Sequence, residues 1–257
     1  MKLKCTTALA SALVLALAVS PASADLTAAT KAFGKLLERY ATPRGVKYDA
    51  WREAGADIRQ LSEILMLYRN VDPKTLEPNE RKALYINLYN AAILDLILLR
   101  NPRVSIKELS KGVNSLEIFN RNGLTFDGKV MSLNDLEKRL RDEFKDPRIH
   151  FAVNCASKSC PPLRAEPYVA ASLDNQLDEA TRAYLASPDA VQVTTGGGKT
   201  TLVTTKIFEW YAADFKASGG PLAFIRKFGP PAAAEAIAAG NAKLTFAEYD
   251  WDLNSAK

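Results

Sequence analysis

The stretch from Asn79 to Leu99 carries apolar side chains on nearly every side of a helix, and this constrains the fold more than any other feature of the chain. A helix that is apolar all round has to be enclosed by other elements. Asn87, Asn90 and Asp95 interrupt the run, which argues for the core of a globular domain rather than for a membrane span. Asn79 is a good N-cap for this helix, and Pro102 enforces its end.

The rest of the chain supplies what encloses it. Leu26 to Ala41 reads as an amphipathic helix with Phe33, Leu36, Leu37 and Tyr40 on one face, and Trp51 to Tyr68 as a second. Asn122-Gly123 and Asp127-Gly128 bracket Leu124-Thr125-Phe126, which predicts short antiparallel strands. Ser132 with Asp135 three residues on starts a helix that reaches Phe144, and Asp146-Pro147 stops it. Ile149 to Val153 is then read as a short apolar strand. Ser172 to Ser187 is helical, and Ala190 to Thr195 with Thr200 to Thr204 forms a hairpin around Gly196-Gly197-Gly198. Helices follow at Ile207 to Ala217, Pro221 to Phe228 and Pro231 to Ala239, then a strand at Lys243 to Tyr249. Helices and strands do not alternate strictly, so the fold class is α+β, a single domain whose buried central helix packs on a small, mostly antiparallel sheet.

The N-terminal end reads as an address. Lys2 and Lys4 precede an apolar run from Thr7 to Val19, and Ala22-Ser23-Ala24 fits signal-peptidase cleavage after Ala24. Residues 1–24 are therefore expected to be a signal peptide and 25–257 the domain, in the periplasm or secreted. Cys5 lies ahead of the apolar run and is poorly placed for lipid attachment. The formal charge of +5 falls by two when Lys2 and Lys4 leave, too small an excess to argue for a nucleic-acid partner.

Chemistry concentrates at one place. The chain holds a single histidine, His150, and the two cysteines beyond the leader, Cys155 and Cys160, follow within a few residues in Arg148 to Leu163. An imidazole beside thiols is versatile near neutral pH. One expectation is a thiol-dependent hydrolase or transferase acting on an amide or ester, with a cysteine nucleophile, His150 as its base, and Asn87, Asn90 or Asn154 orienting the imidazole. If Ile149 to Cys155 is a regular strand, His150 and Cys155 point to opposite faces, and Cys160 reaches His150 more easily. The competing expectation is a Cys155–Cys160 disulfide in an oxidising compartment, shaping a non-catalytic module that binds a small molecule or peptide. Asn87 and Asn90, three apart on the central helix, share a face and then brace the cysteine loop by hydrogen bonds. The four-residue gap between the cysteines does not match redox motifs, and His150, Cys155 and Cys160 fit known zinc spacings poorly, so no cofactor or metal is expected.

Several local patterns resemble one family. Tyr85-Ile86-Asn87-Leu88-Tyr89-Asn90-Ala91 is similar to its asparagine-tyrosine-asparagine helix. Asp146 to Ala152, Cys155 to Leu163 and Glu166-Pro167-Tyr168 resemble its histidine-cysteine block. Ile207 to Tyr211 with Asp214-Phe215, and Tyr249 to Asn254, match two further blocks in order. The chain thus resembles the family known as domain of unknown function 547 over nearly all of residues 25–257. The resemblance implies a single domain, often exported in bacteria, and carries no settled activity.

Overall fold

The computed structural model describes residues 21–110, 117–121, 123–196, 199–240 and 242–256. Residues 1–20, which hold most of the expected leader, lie outside the described residues, as do Asn122, Gly197 and Gly198 of the expected turns. The chain runs α1 (Pro21–Tyr40), β1 (Ala41–Thr42), β2 (Gly45–Val46), α2 (Tyr48–Glu53), α3 (Gly55–Asn70), α4 (Pro78–Arg100), β3 (Leu124–Phe126), β4 (Lys129–Met131), α5 (Leu133–Phe144), α6 (Leu173–Leu185), β5 (Val191–Gly196), β6 (Lys199–Thr204), α7 (Ile207–Trp210), α8 (Gly220–Phe228), α9 (Pro231–Ala238) and β7 (Ala242–Phe246). This is the α+β mixture expected.

Helix α4 is the expected central helix. It is the one helix among the described residues long and apolar enough to cross a membrane, and 72% of its most apolar stretch is buried inside the protein. Its start differs by two residues from expectation. Glu77 caps it in a reciprocal box with Glu80, and Pro78 takes the first helical position, where a missing N–H costs nothing. Asn101 ends it in the left-handed conformation, ahead of Pro102. The helix packs between α3 and α5, and its Tyr85 ring meets Phe126 of the β3–β4 pair edge-on at 5.5 Å. The strands form two antiparallel pairs and one mixed sheet of order β5-β6-β7, in which β7 runs parallel to β6.

Apolar residues gather in two clusters. The larger surrounds α4 and includes Phe33, Trp51, Leu61, Tyr85, Leu136, Ile149 and Leu177. The smaller gathers Tyr184, Leu202, Phe208, Phe215, Phe224 and Phe228 around Phe151. Helix α6 joins the two, with Leu177 in the larger and Tyr184 in the smaller, and so does a second segment, which departs from the expected strand. Residues Pro147–Phe151 form a 3-10 helix capped by Asp146, whose carboxylate accepts the Arg148 N–H at 3.1 Å. A capping Asp followed by Pro starts a helical turn, and a five-residue stretch is too short for periodicity to distinguish strand from helix. Ile149 consequently enters the larger cluster and Phe151 the smaller. Two other expected helices are shorter than expected. Trp51 to Tyr68 breaks at Ala54, ahead of Gly55, and the helix at Ile207 ends at Trp210 in turns that carry Tyr211, Asp214 and Phe215.

The C-terminal tail closes the molecule. Val46 donates to Asn254 O at 2.8 Å and Ala256 donates to Val46 O at 2.9 Å. Gly45 makes this approach possible. Its φ is +125°, and a Cβ there would lie 2.0 Å from the Asn254 carbonyl oxygen. Gly45→Ala is expected to destabilise the fold by about 3 kcal/mol through strain and displacement of the tail, as read from denaturant titration.

Candidate functional site

The cysteine loop is held by three asparagines. Asn90, on α4, donates from Nδ2 to Ala152 O at 3.0 Å and accepts the Asn154 N–H on Oδ1 at 2.9 Å. Asn154 donates to Pro161 O at 2.8 Å and accepts the Ala156 N–H at 2.8 Å. Asn254, from the tail, donates to Asn154 Oδ1 at 3.3 Å and accepts the Tyr48 hydroxyl at 2.9 Å. The tail also accepts loop amides directly, Lys158 on Asp252 O at 2.8 Å and Ser159 on Asp250 O at 3.2 Å. The loop turns sharply enough that buried Ala156 sits at φ +62°, a conformation that costs a non-glycine residue about 1 kcal/mol or more. The strain falls on the residue immediately after Cys155.

Both cysteines are free thiols in this structure, Cys155 half-buried and Cys160 buried. Their environments are unequal. Cys155 Sγ lies 3.0 Å from the Ser157 hydroxyl and 3.3 Å from the Tyr249 hydroxyl, which are 3.1 Å from each other. Burial pushes the Cys155 thiol up, but hydrogen bonds from Cys160, Ser157 and Tyr249 outweigh it and bring the group down to about 7. Cys160 accepts the Cys155 N–H at 2.9 Å and points its S–H toward Val153 O at 3.8 Å. Burial and the neighbouring Cys155 push it well above the ordinary thiol range. Burial and the two cysteines also push the Tyr249 phenol up, so it keeps its proton and stays a donor. Cys155 is the thiolate of the pair.

His150 sits on the 3-10 helix, buried, with Nε2 2.8 Å from Asp214 Oδ2 and its ring packed on Tyr211 at 4.1 Å between centroids. The His150 hydrogen bond, working against partial burial and helped by Arg141 and Lys145, holds the Asp214 carboxyl below its usual range. With Nε2–H donating to Asp214, the lone pair resides on Nδ1. Among the described residues no hydrogen bond joins His150 to either sulfur.

What unites these groups is one cavity of about 340 Å3 between the two apolar clusters. His150, Cys155 and Cys160 all line it, together with Glu137 of α5 and the rings of Tyr89, Phe119, Trp210, Tyr211, Tyr249 and Trp251. The expected asparagines lie elsewhere. Asn87 and Asn90 do not line the cavity, and Asn87 spends both amide ends on the Tyr168 backbone, at 2.7 and 2.9 Å. Asp214, not an asparagine, holds the imidazole. The alternation of a strand does not apply to His150 and Cys155, because a 3-10 helix and a turn replace it. Among the described residues no group of three His, Cys, Asp or Glu side chains converges to hold a metal.

Sequence reading passed over Glu137, Asp214, Ser157 and Tyr249. Glu137 had a signal, since it shares the inward face of α5 with Leu133, Leu136 and Leu140, where a carboxylate is out of place. Asp214 stands in an aromatic block but far along the chain from His150, and only the fold brings the two together. Neither the curated proteins nor the solved structures compared with this chain contain a match. Residues 73–185, which span α4, α5, His150 and both cysteines, match the family described as "Protein of unknown function, DUF547".

Proposed function

We propose that the protein is an exported thiol-dependent hydrolase or transferase acting on an amide or ester, with Cys155 as nucleophile. One observation carries the reading: a cysteine brought down to about 7 shares a 340 Å3 cavity with a carboxylate-anchored histidine. A thiolate already available near neutral pH does not need a base in contact with it. Its sulfur attacks the carbonyl carbon, a C–S bond forms, and the bond to the amine or alcohol breaks. The proton that the Cys155 thiol gave up is taken by the Nδ1 lone pair of His150, which passes it to the leaving group. Water or an acceptor then attacks the thioester and yields its proton to His150, the C–S bond breaks, and the thiolate returns. Asp214 accepts the Nε2–H and fixes the imidazole, so that Nδ1 is the nitrogen that takes up and releases the proton.

The test is hydrolysis of a panel of p-nitrophenyl esters and anilides by the wild type and variants. Cys155→Ser is expected to lose about 1000-fold or more in kcat/KM, and Asp214→Asn about 100-fold or more, with melting temperatures retained. A panel turned over equally by wild type and Cys155→Ser would contradict the proposal.

A second reading is favoured by the closeness of the thiols, since the Cys155 N–H already reaches Cys160 Sγ. In an oxidising compartment the two pair, and the cavity then belongs to a binding module. Alkylation of protein isolated without reductant separates the readings, a blocked pair supporting the second and a reactive Cys155 the first. The second reading also predicts that Cys155→Ser and Cys160→Ser lower stability in oxidised protein by roughly 2 kcal/mol, the value of a small closed loop.

A further inference from the structure

We infer that the cavity selects a substrate carrying an ammonium group. The inference rests on the acyl-transfer reading for the cavity's purpose but draws on different atoms. Glu137 is only 8% exposed and lines the cavity, yet no Lys or Arg forms an ion pair with it among the described residues. Arg141, one turn further along α5, forms its ion pair with Asp214, Nε to Oδ2 at 3.6 Å without a hydrogen bond, and its guanidinium lies 4.9 Å from the Tyr211 ring centre. The Tyr211 hydroxyl lies beside the Glu137 carboxylate. A buried carboxylate without a cation is costly, and a removed partner charge typically costs several kcal/mol. Such a group is retained where a ligand completes it.

The remaining wall fits the same ligand. Six aromatic rings line the cavity and no lysine or arginine does. Trp210, Tyr249 and Trp251 form one cluster with centroids 4.4 to 5.8 Å apart, and Trp210 is 46% exposed at its edge. Lys107 sits over Trp251 at 6.0 Å but is not part of the lining. Aromatic faces attract ammonium groups, and they do so more strongly where water is excluded. The thiolate of Cys155 adds negative charge to the same space, and the one cationic candidate in the wall, His150, is matched by Asp214. An anionic substrate would meet two negative groups that no lysine or arginine in the wall offsets. A cationic one meets a carboxylate and a ring of π faces.

The experiment titrates choline, and separately its uncharged carbon isostere 3,3-dimethylbutan-1-ol, into the full chain while following tryptophan emission. Trp51 is fully buried, so Trp210 and Trp251 report on the cavity. Choline is expected to bind at least about 10-fold more tightly than the isostere, as a charge pair and cation–π contacts together imply. Glu137→Gln, with its fold checked by melting temperature, is expected to remove most of that preference and leave isostere binding unchanged. Equal affinity for the two probes, a preference that survives Glu137→Gln, or no saturable binding of either would overturn the inference. Neither probe carries an acyl group, and Cys155→Ser keeps Glu137 and the aromatic wall, so that variant should still prefer choline whatever becomes of the acyl-transfer reading.

Discussion

Iodoacetamide offered to the native, reduced protein is expected to modify Cys155 and to spare Cys160. The two thiols differ in exposure and in charge state. Cys155 is half-buried on the cavity wall and titrates at about 7, while Cys160 is 8% exposed and pushed well above the thiol range. The rate at Cys155 should rise as pH passes through 7 and then level off, because only the thiolate reacts. At pH 6 a group titrating at 7 is about 10% ionised, against roughly 0.3% for an ordinary cysteine near 8.5. The lower basicity of its sulfur gives back about 5-fold of that 30-fold excess. A net advantage of about 6-fold over a free cysteine at pH 6 therefore remains, and selectivity over Cys160 should exceed about 100-fold. Cys160→Ala removes one of the groups that bring Cys155 down, so the profile should move toward higher pH. Folding favours the thiolate in the same way. That share of stability is full above the unfolded value of about 8.5 and is lost as pH falls through 7. Equal labelling of both cysteines, or a Cys155 profile centred at 8.5, would contradict the assignment.

Asn90→Ala is expected to be among the most damaging single substitutions in the protein. Its amide satisfies a buried carbonyl at Ala152 and a buried N–H at Asn154, and alanine leaves both without a partner. Each stranded group costs about 1–3 kcal/mol, so a loss of about 4 kcal/mol and a melting temperature lower by roughly 12 °C follow. Asn87→Ala strands the N–H and carbonyl of Tyr168 and should cost a similar amount. The two variants separate bracing from chemistry. Only Asn90 holds the loop that carries Cys155, so only Asn90→Ala should also move the Cys155 titration toward 8.5. Thermal melting combined with alkylation against pH measures both effects.

The parts of the fold that could be read from sequence are those set by local chemistry. The capping pair Ser132 and Asp135, the Asp127-Gly128 turn and the unbroken apolar character of α4 each act within a few residues, and each is found in place. The parts that could not are decided at long range. The five residues Ile149 to Val153, four of them apolar, suit a strand or a helical turn equally, and the cap at Asp146 with Pro147 tips them to the latter. Tyr211, Asp214 and Phe215 leave a helical path, with both rings against His150 and the Asp214 carboxylate on its Nε2. His150 and both cysteines could be located from composition alone, because rare side chains cluster there. Their partners could not be identified that way, since Asp214, Tyr249 and Asn254 are common residue types whose roles arise from the turns after α7 and from closure of the tail over the loop.

The most direct measurement of the central claim is intact-protein mass spectrometry during reaction with p-nitrophenyl acetate, followed by peptide mapping. The account predicts a burst of nitrophenolate matched by one acetyl group on Cys155, present in Cys160→Ser and absent in Cys155→Ser. Acetylation confined to lysines, or a burst that survives Cys155→Ser, would contradict it.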